Sequence, residues 1–338
     1  MSRTVFVTGS AGFIGFHLAR LLLDEGFRVV GYDGMTDYYD VELKARRQQQ
    51  LSQRPGFHGV EAMLEDMDAL SRAVAEARPD VIVHLAAQAG VRYSLENPRA
   101  YVESNLVGSF NLLEAAREAA PAHLMMASTS SVYGANRQLP FRETDHADHP
   151  LTLYAATKKA NEAMAHSYAH LWGIPTTMFR FFTVYGPWGR PDMALFKFVR
   201  AALAGEAIDV YNHGDMARDF THVGDLVRGI RLLMDVVPPA PDDAGPPLDG
   251  DTLSPVAPHR TVNIGNGNMV RLGDFIAAIE AALGFEVAKN FMDMQKGDVP
   301  ATWASSGLLH DLTGFRPETD VAAGVREFVD WYRDYYRV

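Results

Sequence analysis

Val5-Phe-Val-Thr-Gly-Ser-Ala-Gly-Phe-Ile-Gly15 is the stretch that decides the fold. The β-branched run before Gly9 reads as a buried strand. The residues after Gly15 carry apolar side chains at the three- and four-residue spacing of an amphipathic helix. Gly9, Gly12 and Gly15 permit a tight turn and close approach to a pyrophosphate, which would rest on the free N–H groups around Phe13 and Ile14 at the helix N-terminus. Asp33 ends the next strand pattern, where an acidic side chain accepts hydrogen bonds from an adenosine ribose and repels a 2′-phosphate. The set predicts NAD in preference to NADP. The plainer alternative is a structural glycine turn followed by a surface aspartate.

Outward from that turn, short β-branched runs alternate with helical patterns, the mark of a parallel sheet covered by helices. Strands are expected over 4–8, 28–32, 81–85, 123–128 and 176–181, and helices over 12–25, 99–118 and 153–171. Beyond residue 183 the elements shorten, with a strand expected over 260–264 and helices over 272–283 and 322–336. The fold class is therefore α/β, a Rossmann doubly wound parallel sheet with a smaller mixed α/β C-terminal substrate-binding domain. The sheet domain is expected over 1–182 with a returning segment near 219–236. The second domain covers 183–338 and carries a surface excursion, rich in Pro, Asp and Gly, at 237–258.

Composition narrows the function. With 31 Lys and Arg against 42 Asp and Glu, the net charge is −11, which disfavours non-specific binding to nucleic acid or anionic membrane. No apolar stretch reaches the roughly 18 residues that a membrane span needs. There is no cysteine, so disulfide and thiol chemistry are excluded and a reducing compartment is compatible. The N-terminus runs into a strand without a basic-then-apolar leader. A cytoplasmic protein with no metal site and no nucleic-acid or membrane partner is expected.

Tyr154 and Lys158 lie four residues apart, hence on one face of the 153–171 helix. A cation there favours phenolate, drawing a group of pKa about 10 toward use as a general base. An unrelated surface pair is the alternative. Upstream, Ala127-Ser-Thr-Ser-Ser-Val-Tyr-Gly134 places hydroxyls at a strand end, the carboxyl edge where open α/β sheets bind ligands, or else forms a polar turn. In Glu65-Asp-Met-Asp68, Asp66 is expected near the adenine amine. Leu85, Ala86 and Ala87 offer small, apolar lining along the cofactor backbone, and His84 reads as a hydrogen-bonded core residue.

Together these motifs resemble the extended short-chain dehydrogenase/reductase superfamily over nearly the whole chain. The resemblance implies Tyr154 as base and acid on a sugar 4-hydroxyl. Lys158 would hold the nicotinamide ribose and lower the tyrosine pKa, Thr129 would share the proton, and Asn105 would support the site. In that superfamily, 4,6-dehydratases carry Asp-Glu before Val-Tyr-Gly, and UDP-glucuronate decarboxylases carry Glu. Ser130 and Ser131 supply no carboxylate, which leaves epimerisation.

The segment from Arg180 to Ala194, with its Arg-Pro-Asp-Met run, is similar to that of UDP-glucuronate 4-epimerases. UDP-galactose 4-epimerases usually carry asparagine where Thr183 stands. Arg190 would grip the glucuronate carboxylate bidentately, with Thr183, Ser130 and Ser131 as further donors. Arg218 matches the arginine that binds the diphosphate, and Asp298 the residue that binds the uridine ribose. Gln295 and Gly34 depart from the usual arginine and asparagine.

The resemblance thus implies an NAD-dependent isomerase of carbohydrate metabolism acting on a UDP-uronic acid. It also implies a homodimer joined by a four-helix bundle from the 99–118 and 153–171 helices. Alternatives are UDP-galactose or UDP-N-acetylhexosamine epimerisation, UDP-glucuronate decarboxylation, and a non-catalytic NAD-binding scaffold.

Overall fold

Seven strands pair into one parallel sheet in the computed structural model, which describes residues 2–246 and 248–338. Residue 1, at the expected leader-free start, and residue 247, inside the expected excursion, lie outside the described residues. The strands are β1 (Thr4–Thr8), β2 (Arg28–Asp33), β3 (Phe57–Glu61), β4 (Val81–His84), β5 (His123–Thr129), β6 (Thr176–Phe181), β7 (Thr183–Tyr185), β8 (Ile208–Tyr211), β9 (Ala217–His222), β10 (His259–Ile264), β11 (Met269–Arg271) and β12 (Lys289–Met292). The large sheet has the order β10-β6-β5-β4-β1-β2-β3. The chain steps outward from β1 to β3 and then crosses to β4. That reversal opens a crevice at the carboxyl ends of β1 and β4.

The helices are α1 (Phe13–Asp24), α2 (Val41–Ser52), α3 (Met67–Ala77), α4 (Tyr93–Glu96), α5 (Pro98–Tyr101), α6 (Ser109–Ala119), α7 (Leu153–Trp172), α8 (Ala194–Leu203), α9 (Val223–Leu233), α10 (Leu272–Leu283), α11 (Gly307–Thr313) and α12 (Val321–Tyr336). Alternation along the strands splits the core into two layers. Val5 and Val7 face Phe16, Leu226 and Ile230 of α1 and α9. Phe6 and Ile82 face Leu70, Leu112 and Ala165 of α3, α6 and α7. With both faces covered, the inner strands are buried along nearly their whole length. A separate core joins α8, α10 and α12 beside the small sheets β11-β9-β7 and β12-β8, with Phe220 stacked on Phe275 at 3.9 Å.

Three features differ from expectation. The helix expected over 99–118 is broken into α5, a π-helical stretch Val102–Gly108, and α6. There Gly108 packs so closely on Leu64 that a Cβ would sit 2.6 Å from it, while Asn105 turns inward. Second, β10 joins the large sheet as its outermost strand, so the sheet takes back 259–264, while from the segment near 219–236 β9 pairs in a small sheet and α9 packs on the large one. The β10 pairing covers the edge of β6, which would otherwise present unpaired N–H and C=O groups. Third, the far end of the 237–258 excursion is tied down. Arg260 donates to Asp251 at 2.8 and 3.0 Å, and Ser254 Oγ lies 2.8 Å from His166 Nε2.

A buried polar network fastens β5 and β6 to α7. Arg180 donates through Nε and Nη2 to Glu162, 2.9 Å each, and Ser128 Oγ donates to the same carboxylate at 2.6 Å. Next to it, Glu143 Oε1 accepts from the Asn263 N–H at 3.0 Å. Burial pushes the Glu143 carboxyl up from 4.5 to about 7. Between those values the folded protein binds more protons than the unfolded chain. The stabilisation is therefore full below pH 4.5 and is lost as pH rises to about 7. Across that window wild type should lose on the order of 3 kcal/mol relative to Glu143→Gln. Urea unfolding of both proteins through the pH series measures this, and parallel stability curves would remove Glu143 as the titrating group.

Candidate active site

A cleft of about 600 Å³ runs from Gly9 and Asp33, at the crevice of the sheet, past Thr129, Tyr154 and Lys158 to Arg218 and Asp298. At the first end, side chains are excluded by the backbone. Gly9 has φ +74°, and a Cβ there would sit 2.8 Å from the Ala86 nitrogen. A Cβ on Gly15 would overlap the Gly9 carbonyl. Gly12 stands at the N-cap of α1, so Phe13, Ile14 and Gly15 offer first-turn N–H groups to an anion. Thr8 Oγ1 accepts from the N–H groups of Leu85 and Ala86, 3.1 Å each, and fixes the wall that continues to Ala87. Asp33 lines the cleft, accepting from Ala11 N at 3.0 Å and Met35 N at 2.9 Å. Each carboxylate oxygen keeps a further lone pair for a ribose hydroxyl. The residues present fit a dinucleotide.

Two residues expected at the cofactor lie outside the cleft wall. Asp66 is exposed and absent from the cleft wall, which at this point is Met63, Leu64 and Glu65. Its carboxylate is committed to the N-cap of α3, accepting from Ala69 N at 3.0 Å. Asn105 is fully buried behind the wall. It accepts from Gln88 N at 2.8 Å and donates to Gln88 O and Thr157 Oγ1 at 3.0 and 3.1 Å, so it braces the backbone. A residue that sequence patterning missed is Lys44, buried in the cleft wall, with Nζ donating to the carbonyl and hydroxyl of Thr36 at 2.5 and 3.0 Å.

Thr152 caps α7, its Oγ1 accepting from Ala155 N at 3.3 Å. Tyr154 therefore falls in the first turn and Lys158 one turn later, both facing the cleft. Lys158 Nζ donates to the Ala127 carbonyl at 2.9 Å, and burial lowers its pKa to about 8. Burial raises the Tyr154 phenol, and the Thr129 hydroxyl and the Arg190 charge pull it back. The Lys158 ammonium thereby reaches the end of β5. Thr129 ends β5 and caps the 3₁₀ turn Ser130–Tyr133, accepting from Ser131 N at 3.2 Å and donating to Ser131 Oγ at 3.2 Å. Ser130, Ser131 and Thr183 share the cleft with them. Gly134 lets this turn pass, because with φ +52° any Cβ would overlap the His149 carbonyl.

The expected anion contacts are partly spent. Arg190 lines the cleft, but its Nε and Nη2 donate to Asp192 at 3.0 and 2.5 Å. The bidentate grip expected for a ligand carboxylate is thus held by a side chain two residues away. Arg218 Nη1 donates to the carbonyls of Ala217 and Pro300, 2.9 and 3.1 Å away. Asp298 accepts from Arg92 Nη2 at 3.0 Å, and the Arg92 guanidinium lies 4.6 Å over the Tyr211 ring. Arg92 thus stands beside both expected UDP contacts. Its one sequence signal was its place in the loop after β4, at the same carboxyl edge of the sheet.

Comparison with known proteins agrees with this geometry. The model of the NAD dependent epimerase/dehydratase family matches residues 5–242. A protein named Probable UDP-glucuronate 4-epimerase from Rhizobium meliloti is 60% identical over 331 residues, covering 98% of this chain and 97% of that protein. UDP-glucuronate 4-epimerase 2 of Arabidopsis thaliana is 43% identical, with 99% of this chain and 76% of the plant protein covered. The crystal structure of UDP-glucuronic acid 4-epimerase from Bacillus cereus, in complex with UDP-glucuronic acid and NAD, superposes with a TM-score of 0.87. It is 30% identical, over 98% of this chain and all (100%) of that one.

The glycine cradle sets one expectation. Gly15→Ala should lower NAD retention at least about tenfold, since the added methyl displaces the backbone that approaches the pyrophosphate. The measure is cofactor released on denaturing the purified protein. Wild-type occupancy in the variant would remove Gly15 from the cofactor site.

Proposed function

The chain belongs to the NAD-dependent epimerase/dehydratase family, and on that premise we propose that it interconverts UDP-glucuronate and UDP-galacturonate at carbon 4. The observation that carries this is the make-up of one cleft. Tyr154 and Thr129 share it with Ser130, Ser131, Thr183 and Arg190, and positions 130 and 131 bring no carboxylate for elimination.

Bound NAD supplies reversible hydride exchange at the sugar carbon. The glycine loop, Phe13, Ile14, Asp33 and the Leu85–Ala87 wall would hold it, with Lys158 at the nicotinamide ribose. Tyr154 takes the 4-hydroxyl proton and returns it after the ketone has presented its other face. Thr129 shares that proton. Turning the sugar over requires a fixed anchor, which Arg218 and Arg92 provide at the diphosphate and Asp298 at the uridine ribose. The 4-keto uronate is a β-keto acid, prone to lose carbon dioxide. Ser130, Ser131, Thr183 and the free edge of Arg190 hold its carboxylate in one orientation and suppress that loss. The division at 182/183 into a cofactor part and a nucleotide-sugar part follows from these roles.

A second reading, epimerisation of an uncharged UDP-hexose, is favoured by one observation: Asp192 already occupies an edge of Arg190. We also propose a cytoplasmic homodimer. Phe110 at the start of α6 and Trp172 at the end of α7 are each more than two-fifths exposed, and Arg117 over the Trp172 ring places both helices on one face.

Incubation with UDP-glucuronate and no added reductant should yield UDP-galacturonate. Comparable turnover of UDP-galactose would favour the second reading, and release of carbon dioxide with a UDP-pentose would favour a decarboxylase. Tyr154→Phe should lower turnover about a thousandfold with NAD still bound; an active variant would sink the assignment. Phe110→Glu should convert a dimer to a monomer in sedimentation, and an unchanged mass would place the interface elsewhere.

A further inference from the structure

A guanidinium offers a carboxylate two edges, Nε with Nη2 and Nη1 with Nη2. In Arg190 the first is filled by Asp192, at 3.0 and 2.5 Å. Asp192 Oδ2 in turn accepts from the Tyr38 hydroxyl at 3.1 Å, which anchors the pair to the loop between β2 and α2. Arg190 lines the cleft along with Tyr154, Thr129 and Thr183, whereas Asp192 does not. The carboxylate therefore holds the guanidinium from behind. Burial disfavours charge on both, yet the pairing wins, and Arg190 is raised while Asp192 is lowered from their ordinary values.

The rest of the frame is equally fixed. The Tyr38 ring packs on Tyr93 at 4.7 Å. The backbone at Gly90, φ +103°, threads between the Tyr38 hydroxyl, the Tyr101 hydroxyl and Arg190. A Cβ there would sit 2.7 Å from the first and 3.7 Å from Arg190 Nη2. No side chain fits between the Tyr38 hydroxyl and this backbone, so the loop runs directly beside the pair.

We propose that Asp192 and Tyr38 are positioning residues that aim Arg190, filling its Nε–Nη2 edge so that the Nη1–Nη2 edge alone receives the acid group of the sugar. This rests on the substrate being a UDP-uronic acid. Asp192 also repels that acid, but across the guanidinium, at about twice the distance of the contact it opposes, so the repulsion is about half as strong as the attraction. Loss of aim forfeits both charge-assisted hydrogen bonds to the substrate. Aim outweighs repulsion. Side-on occupation by Asp192 also means that the acid binds end-on, along the long axis of the arginine.

The test is Asp192→Asn in the full-length, NAD-loaded enzyme. KM for UDP-glucuronate should rise about tenfold, with kcat changed less than about threefold. The inhibition constant of UDP, which lacks the sugar, and the NAD content should stay at wild-type values. Tyr38→Phe should move KM in the same direction by about threefold. Equal weakening of UDP and UDP-glucuronate would mean a merely structural role, and an unchanged KM in both variants would equally overturn the proposal. Arg190→Ala separates the two levels. If it raises KM for UDP-glucuronate while Asp192→Asn does not, only the aiming falls. If it too leaves KM unchanged, the sugar-acid reading falls with it.

Discussion

Thr8 Oγ1 is the point on which the site depends. Its lone pairs accept the N–H groups of Leu85 and Ala86. Its own hydrogen is then left for Nδ1 of His84, 2.7 Å away. That assigns the other ring nitrogen, Nε2, as the N–H donor to Ser109 Oγ at 3.1 Å, which Asn161 also reaches at 3.1 Å. Burial and the Lys158 charge push His84 down to about 3, so the ring stays neutral. One uncharged chain of hydrogen bonds thereby ties β1, β4, α6 and α7. The glycine loop, the Leu85–Ala87 wall and the helix carrying Tyr154 and Lys158 hold their mutual distances through it. A charged imidazole at this place would repel Lys158 from the spot where its ammonium meets Ala127.

Every candidate functional side chain on the sheet side comes from the carboxyl end of a strand or the first turns of a helix. The opposite wall contributes cations and Asp298. The Arg92–Asp298 pair spans the mouth between them, with side-chain exposures of 42% and 16%. An ion pair that open to water is weak, so it holds the two walls in register without locking them. Deep in the cleft the reverse applies: Lys158 is buried and Tyr154 partly so, and burial is the largest influence on the protonation of each.

How far the chain could be read beforehand follows from the range of each interaction. The glycine turn, the long helices and five inner strands were legible because their signals are periodic and local. The break at Val102–Gly108 was not, since a π turn adds a residue to the ladder without altering composition. Asp66 carried a legible signal that pointed elsewhere: an aspartate three residues before Ala69 at a helix start is an N-cap. The grip of Asp192 on Arg190 depends on a loop path, because neighbours two apart face each other only when the backbone turns. Lys44 reaches the cleft, and Arg92 the cleft-lining Asp298, through tertiary contacts that no spacing encodes. The pairing of β10 with β6 is long-range and equally silent in the local pattern.

That last pairing has a consequence for how the protein is made. During synthesis β6 emerges well before β10, with the whole 182–258 stretch between them. Until the later strand arrives, six residues of β6 offer an open ladder to any other chain nearby. Because the sheet is completed by a strand that follows this long stretch, its parts are interleaved along the gene with the elements of the small sheets. No single cut of the chain before β10 frees a finished sheet.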